Sequence, residues 1–466
     1  MAGAIGVLVV HTSSPRYRHL AGSLVNPLFL FALLCGIYAL DFLVLRQSVL
    51  TEGYALLRGM SVTDMYAVAD GFEIFGASVL ATIGGLLFAS FLPMPGRKRV
   101  TSDSPPRLDR RINAARISSW LVLAASLPVA YAILRDAGGD LTTVTVARQM
   151  YFSENQLSLL VLTLNLPAAV FLIATSVRAS RMPVVLIVLH AMCLAFLGGR
   201  AFVLYLGAAL LTRRATQGRP VPAIAAVAIV PSAFLAFAVI RYFYRDSVLG
   251  ITLYDFLFSD GGFAYRAFTG LEISMSQVLS IISIDATVFD RYPFESFFGA
   301  AAFLIPRSIF PGKPVGASTH FSQVMHPEHW AAFRSETVIS GFADMYLMFG
   351  YFGLPLLFLL GVALQRTVVW ALHLPSHLQV VAITYLCINV FLFVRNDVYN
   401  MAPNLWALAI FQLLFLGAKL ASAAPPPTGL AVLSRTRSLT GEIPSPSALR
   451  GSNLTPSSRH ANEAKR

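Results

Sequence analysis

Residues 340–361 read SGFADMYLMFGYFGLPLLFLLG, and this stretch decides the fold class. One acidic residue, Asp344, precedes a predominantly apolar run that continues to about residue 370. The hydrocarbon core of a membrane requires about 20 predominantly apolar residues per helix. We therefore predict a membrane-spanning helix at residues 346–370, with Asp344 at the point where a loop enters it.

Nine further apolar runs are distributed along the chain, and the fold class is predicted from all ten together. Of the 466 residues, 56% are hydrophobic and only 12% are charged, which is too little charge to cover soluble domains. We expect an all-α polytopic membrane protein with about ten transmembrane helices. The nine further spans are predicted at residues 25–45, 73–93, 115–134, 157–177, 182–197, 200–212, 221–240, 378–394 and 402–418.

The distribution of Lys and Arg predicts the orientation of these spans. The densely basic segment 96–116 (GRKRVTSDSPPRLDRRINAAR) follows the second span and is expected in the cytoplasm, because cytoplasmic loops collect cations. Alternating from there places three other basic loops and both termini on the same side: residues 178–182, 212–220 and 365–377. Much of the net charge of +12 therefore encodes orientation.

Two domains follow from this arrangement. Residues 1–420 form the transmembrane domain, with a large outer loop at residues 241–345, and residues 421–466 are expected to be a disordered cytoplasmic tail, rich in Pro and Ser. Apolar runs within the outer loop, at 276–283 and 297–305, suggest short amphipathic or interfacial helices. A loop of this length in a compact membrane protein is usually functional.

The candidate binding residues are cations on the outer side, where the orientation rule does not require them. Residues 304–321 (LIPRSIFPGKPVGASTHF) carry Arg307 and Lys313 on a backbone that prolines 306, 311 and 314 stiffen. Arginine offers planar donors for phosphate and lysine a compact charge, so this hairpin predicts an anion site. Alternatively, the hairpin is a surface turn with solvated cations. For arginines at helix ends the alternative is that they reach lipid phosphates or pair with acids, as they often do. The remaining candidate cations are Arg200, Arg241 and Arg395.

Two carboxylates are candidates for accepting a proton. Glu336 lies in RSETVIS (residues 334–340), and Asp344 opens the span quoted first. An acid at a helix start is also favoured by the helix dipole alone, which is the structural alternative for Asp344. The histidines 320, 326 and 329 do not follow a standard zinc spacing, so no metal site and no cofactor are predicted.

Three motifs, taken together, resemble the Wzy-type oligosaccharide repeat-unit polymerases of bacterial surface polysaccharide assembly. They are the Gly-Arg hairpin FLGGRAFVLYLGAALL (196–211), the Pro-Arg…Lys-Pro element LIPRSIFPGKP (304–314) and the acid-then-FGxxG entry at 340–361. The segment LFVRND (392–397) adds a weaker match, and the similarity extends over residues 197–416.

The resemblance implies a glycosyltransferase with a GT-C-like fold in the bacterial inner membrane, whose active site faces outside the cytoplasm. Arg200, Arg307 and Lys313 would bind the diphosphate of an undecaprenyl-diphosphate-linked oligosaccharide, assisted by Arg241 and Arg395. Asp344 or Glu336 would be the general base, although a glutamate is common in the family where this chain has Asp344.

The expected partners are the lipid-linked oligosaccharide, membrane lipid, a chain-length regulator and a flippase, with no nucleic acid. Three alternatives stay open: an O-antigen ligase-like transferase, a transporter for lipid-linked sugars, and a structural partner protein of the assembly. The absence of an internal repeat argues against the transporter.

Overall fold

The structure is a computed structural model, and the chain divides into two compact units, Met1–Ala418 and Lys419–Arg466. Four predicted features lie outside the residues that the structure describes. They are Arg200, Arg241, the span at 221–240 except for isolated positions, and the tail except for its first residues. The described residues are 25–52, 55–57, 60–62, 65–92, 107–138, 144, 156–176, 182–196, 201–219, 221–222, 225, 252, 254, 275–284, 291–333 and 336–423.

The described part of the chain is mostly helical and contains one short two-stranded ribbon. The ribbon pairs β1 (Ala55–Leu57) antiparallel with β2 (Met60–Val62). The first six helices are α1 (Pro27–Glu52), α2 (Met65–Phe91), α3 (Arg107–Asp136), α4 (Gln156–Thr175), α5 (Met182–Phe196) and α6 (Ala201–Thr216). The rest are α7 (Met275–Ile284), α8 (Glu295–Ala301), α9 (Ala317–Met325), α10 (Pro327–Phe333), α11 (Gly341–Phe349), α12 (Leu354–Leu372), α13 (Ser376–Arg395) and α14 (Val398–Ala423).

The protein is a multi-pass helical membrane protein. Helices occupy nine of the ten predicted spans, and six segments of the described chain are long and apolar enough to cross a membrane. These six are Pro27–Gln47, Met65–Phe91, Ile112–Asp136, Ser158–Thr175, Gly341–Leu372 and Ser376–Arg395. The apolar runs of the sequence therefore predict the positions of these helices correctly.

The segment Gly341–Leu372 is not one continuous helix. Helix α11 ends at Gly350, whose φ of +54° suits glycine, and a 3₁₀ turn (Gly350–Gly353) leads into α12. Pro355 stands in the first turn of α12, where its fixed φ is compatible with a helix. Helix α11 is almost wholly buried in protein, whereas α12 leaves large apolar side chains such as Leu359 exposed.

Helices α2 and α12 pack with their backbones in close contact, because each places a glycine against the other. A Cβ at Gly85 would collide with the Phe358 carbonyl oxygen, and a Cβ at Gly361 would collide with the Thr82 carbonyl oxygen. Small residues permit such approach in membranes, where van der Waals contact between helices replaces the hydrophobic effect. This pair fixes α12 against the first half of the chain.

Helix α13 lies between two apolar cores. One core combines α1, α2, α7, α11 and α12, including Phe342, Phe75 and Leu86. The other combines α3, α4, α5 and α6 with α14, including Phe171 and Ile187. Because α13 contributes to both, the loop that follows it at Asn396 and Asp397 is held by the whole bundle.

Helix α7 forms within the run predicted at 276–283, but its apolar side chains are buried in protein. Val278, Leu279 and Ile282 are fully buried against α1 and α2. At its first turn the Ser276 N–H donates to Asp41 Oδ2 of α1 at 3.1 Å. A carboxylate from one helix thus satisfies the free N–H groups of another, which is what a helix start inside a protein requires.

The α2–α12 contact predicts opposite effects for two glycines of one helix. Gly85→Ala should lower the free energy of unfolding by about 1–3 kcal/mol, because the added methyl group separates two packed backbones. Gly76→Ala on the same helix meets open space, so alanine's better helix propensity should leave stability unchanged or slightly higher. Melting temperatures of the purified proteins in detergent test this, and equal melting of the two variants would contradict it.

Candidate active site

The proline-rich hairpin at residues 304–316 is held together by its own two cations. The Lys313 ammonium donates to the carbonyl oxygens of Phe303 at 2.9 Å and Ile305 at 3.0 Å. Lys313 is 2% exposed, and its Nζ lies 5.5 Å from the centre of the Phe303 ring. This lysine therefore cross-links the start of the hairpin to its end, from the inside.

Burial affects the charge of this lysine. It lowers the pKa of Lys313 to about 8, and the nearby positive charge of Arg307 adds to the decrease. The carbonyl oxygens around the ammonium accept hydrogen bonds from it, and this favours the protonated form of Lys313 at neutral pH.

Arg307 occupies the outside of the same hairpin. Its Nη1 donates to the Lys313 carbonyl oxygen at 2.8 Å and its Nη2 approaches the Pro314 carbonyl oxygen at 3.5 Å. Its side chain also hydrogen-bonds to the hydroxyl group of Tyr399 at the start of α14. Arg307 remains exposed, so a guanidinium with five N–H donors is fixed in place and still reaches solvent.

Beneath the hairpin lie three acids, Glu336, Asp344 and Asp397, which we call the carboxylate cluster. Asp344 is completely buried. Its Oδ1 accepts from Ser296 Oγ of α8 at 2.7 Å, and its Oδ2 accepts from the Val398 N–H of α14 at 3.0 Å. The acid in the first turn of α11 thus connects α8 to α14.

Asp397 occupies the loop between α13 and α14 and is also completely buried. Its Oδ2 accepts from the Ser318 N–H of α9 at 2.7 Å, and its Oδ1 accepts from the Asn400 N–H of α14 at 2.7 Å. One carboxylate therefore caps two helices, its own and one from the outer loop. Gly316, just before α9, leaves room for it, since a Cβ there would lie 2.9 Å from Asp397 Oδ2.

Glu336 is the most accessible member of the carboxylate cluster. Its Oε1 accepts from Thr319 Oγ1 of α9, and its Oε2 accepts from Asn400 Nδ2 of α14 at 3.1 Å. The residue is half-buried. Burial raises the pKa of its carboxyl, and the negative charge of Asp397 raises it further, against the two hydrogen bonds. Burial likewise raises the pKa of Asp397, against its own hydrogen bonds and the charge of Arg291.

Arg291 supplies the buried positive charge for the carboxylate cluster. Its side chain is 1% exposed, and it lies within electrostatic range of both Asp344 and Asp397. Its Nη2 donates to the Val315 carbonyl oxygen at 2.6 Å and lies 3.3 Å from Glu295 Oε1. Within the described part of the chain, its Nε and Nη1 donate to no acceptor.

Tyr399 connects the hairpin to the carboxylate cluster. It is hydrogen-bonded to Arg307 and lies within electrostatic range of Glu336 and Asp397. Its ring contacts that of Phe303 edge-to-face at 6.1 Å. An exposed cation and a half-buried carboxylate therefore flank one tyrosine.

Of the remaining predicted cations, the structure describes Arg395. Arg395, at the end of α13, lies over the Phe391 ring at 5.8 Å and within electrostatic range of Tyr205 on α6. Arg200 directly precedes α6 in the sequence but lies outside the described residues, as does Arg241. Among the described residues, no group of three His, Cys, Asp or Glu side chains is arranged to hold a metal ion.

The sequence motifs missed two members of the site. Asp397 stands two residues after Arg395 in LFVRND, so this motif contains the acid, although only its arginine was predicted as a site residue. Arg291 lies in the outer loop outside the four motifs, so no motif signals it. Comparison of the chain with protein-family models, curated proteins and solved structures finds no match.

The buried position of Lys313 predicts a local effect on the hairpin. Lys313→Met keeps the aliphatic stem but leaves the carbonyls of Phe303 and Ile305 without their donor. We expect local opening to become roughly tenfold more frequent, the equivalent of ~1.4 kcal/mol. The rate of tryptic cleavage after Arg307 measures this, with the exposed-residue variant Gln323→Ala as the control; an unchanged rate would show that the ammonium does not hold the hairpin.

The raised pKa of Glu336 predicts how stability changes with pH. Above the ordinary glutamate pKa of ~4.3 the folded protein binds more protons at this site than the unfolded chain does. The stabilising contribution of Glu336 is therefore complete below that pH and is lost as pH rises through the raised pKa. Glu336→Gln removes the titration, and its amide can still accept from Asn400 and donate to Thr319.

We expect the melting temperature of the wild-type protein to fall more steeply across that pH window than that of Glu336→Gln. Glu328→Gln, at an exposed position on α10, should follow the wild type. The measurement is thermal unfolding followed by tryptophan fluorescence at a series of pH values. Parallel wild-type and Glu336→Gln curves would mean that Glu336 titrates normally.

Proposed function

We propose that this chain is a glycosyltransferase that polymerises undecaprenyl-diphosphate-linked oligosaccharide repeat units in the bacterial inner membrane. On this proposal the fold is GT-C-like with about ten spans, the six candidate spans of the described chain being part of them. The carboxylate cluster and the hairpin then face outside the cytoplasm. The motifs at 196–211, 304–314 and 340–361 motivate the proposal.

The observation that carries the proposal is that Arg307 and Glu336 both lie near Tyr399. Arg307 is exposed and fixed by two carbonyl oxygens and a hydroxyl group. Glu336 is half-buried, and the pKa of its carboxyl is raised. A fixed guanidinium suits a diphosphate whose charge increases as it leaves, and a carboxyl of raised pKa suits proton acceptance.

The reaction follows from these two roles. A hydroxyl group on one lipid-linked repeat unit attacks the anomeric carbon of the sugar that ends the growing chain next to its lipid. A new glycosidic C–O bond forms, and the bond from that carbon to the diphosphate oxygen breaks. Undecaprenyl diphosphate departs with the bonding electrons beside Arg307, while Glu336 accepts the proton of the hydroxyl group.

In the proposal the other predicted residues have different roles. Lys313 acts by positioning Arg307, because its ammonium faces the interior of the hairpin. Asp344 is completely buried and engaged by Ser296 and Val398, so Glu336 is the better placed of the two candidate bases. Arg200, Arg241 and Arg395 stay in the proposal as diphosphate ligands on the resemblance alone. A flippase that delivers the substrate and a chain-length regulator are the proposed partners.

The proposal predicts that the purified protein in lipid nanodiscs converts a lipid-linked repeat unit into a ladder of longer lipid-linked chains. No nucleotide sugar should be needed, because the diphosphate ester is itself the activated donor. A single transfer to a lipid A core without a ladder would indicate the ligase, and movement of the lipid across a bilayer without a new glycosidic bond would indicate the transporter. Failure of the wild type to extend its cognate substrate would refute the polymerase.

Variants of the same protein test the assigned roles. Arg307→Ala and Glu336→Gln should each lower the rate of chain extension by about 100-fold or more, because each removes a group that acts on the transition state. Arg307→Lys should recover only part of the rate, since it loses the planar pair of donors. Arg366→Ala, near the C-terminal end of α12, is the matched control and should extend chains normally. A normal ladder from Arg307→Ala would exclude this arginine from the site.

A further inference from the structure

Residues 292–312 expose an unusual amount of apolar surface. This stretch contains helix α8 and the first part of the hairpin, and we call its outer face the 292–312 surface. On this surface Phe298 is 65% exposed and Ile309 is 73% exposed. Its other exposed apolar side chains are Tyr292, Phe294, Phe297, Ile305 and Phe310.

The charge content of this surface is as unusual as its exposure. Between Tyr292 and Gly312 the only charged residues are Glu295 and Arg307. Glu295 pairs with Arg291 and keeps only 23% of its side chain exposed, so Arg307 is the charge that reaches outward. Soluble proteins rarely expose a continuous apolar patch of this kind to water.

The contacts of α8 place this surface beside the candidate span Gly341–Leu372 and beside α14, which occupies the predicted span 402–418. Trp406 Nε1 of α14 donates to the Ala300 carbonyl oxygen at 2.9 Å, and the Phe294 ring contacts the Phe349 ring at 4.9 Å. Trp406 lies eight residues after the start of α14, and Phe349 lies eight residues after the start of the span Gly341–Leu372. Eight residues of helix correspond to ~12 Å, so α8 packs alongside these helices and not above their ends.

Exposed apolar side chains also lie on α14 and in the turn that follows α11. Phe352, in the turn after α11, is 89% exposed, and Leu405 of α14 is 46% exposed. Lipid acyl chains cover such exposed side chains on a membrane-spanning helix. The 292–312 surface adjoins these helices at the same depth, and its exposed side chains are equally apolar. It therefore has the same surroundings as they do.

We propose that the 292–312 surface is embedded in the lipid bilayer. The aromatic and aliphatic side chains of α8 and the hairpin lie among acyl chains, and Arg307 reaches the phosphate level at the edge of the surface. Aromatic residues at this boundary and a single arginine directed toward headgroups are the usual features of an interfacial element. The outer loop is thus anchored in the membrane next to the carboxylate cluster, whatever reaction the protein performs.

Site-specific fluorescence quenching tests this in the full-length protein. Cys35, Cys193 and Cys387 are first replaced by alanine, and single cysteines are then introduced as Phe298→Cys and Ile309→Cys. Leu359→Cys, exposed on the span α12, is the lipid control, and Glu328→Cys, exposed on α10, is the water control. Each is labelled with an environment-sensitive dye and reconstituted into phosphatidylcholine nanodiscs with nitroxide-labelled acyl chains, or into plain nanodiscs with iodide.

Labels at 298 and 309 should resemble the label at 359. We expect nitroxide lipid to quench them roughly twofold or more above the label at 328, and iodide to quench them correspondingly less. Strong iodide quenching at both positions would overturn the proposal, because the surface would then face water. Protection from both quenchers would also overturn it, because a second copy of the chain or another protein segment would then cover the surface. Melting of each variant near the temperature of its cysteine-free parent establishes that the fold is intact.

Discussion

The two hydrogen bonds that Asp397 accepts, from Ser318 N–H and Asn400 N–H, are the constraint on which the arrangement of the outer loop depends. The first four N–H groups of a helix have no partner within it, and burying them without acceptors is costly. One carboxylate resolves this for the starts of α9 and α14 together. Asp344 adds a third such bond to Val398 N–H, so helices from the loop and from the bundle begin at one shared group of oxygens.

Three acids in so small a volume repel one another, and their burial removes the water that would screen them. The raised pKa values of Glu336 and Asp397 express that cost. Arg291 offsets part of it, since a buried cation beside buried anions recovers Coulomb energy that desolvation takes away. A cluster of this kind is poor evidence for stability but strong evidence for a fixed geometry, because the two oxygens of each carboxylate accept from donors on two different helices. The C-terminal part of the loop is therefore positioned largely by polar contacts, whereas α7 and the spans are positioned by packing.

The sequence predicted the parts of this protein that depend on local composition. Apolar runs placed nine helices, and an acid before a long apolar run correctly marked the start of α11. The sequence could not predict that α7 is buried in protein, because its apolar run gives no sign of the partners that cover it. Nor could it predict the association of Arg291 with Asp397, which are over a hundred residues apart and share no periodicity. The inward direction of Lys313 depends on where two backbone carbonyls lie, and residue types do not encode that.

Some charged residues of the site hold the structure together, and others remain accessible to the surroundings. Lys313 is committed to the carbonyls of Phe303 and Ile305, and Asp344 and Asp397 are committed to helix N-termini. Arg307 and Glu336 are the members that remain accessible, and each is held by donors or acceptors that belong to the committed framework. Tyr399, at the start of α14, lies next to Arg307 and within electrostatic range of Glu336. Arg307 and Glu336 are positioned by these buried groups. A change at Lys313 or Asp397 therefore alters the spacing of Arg307 and Glu336 without replacing either side chain.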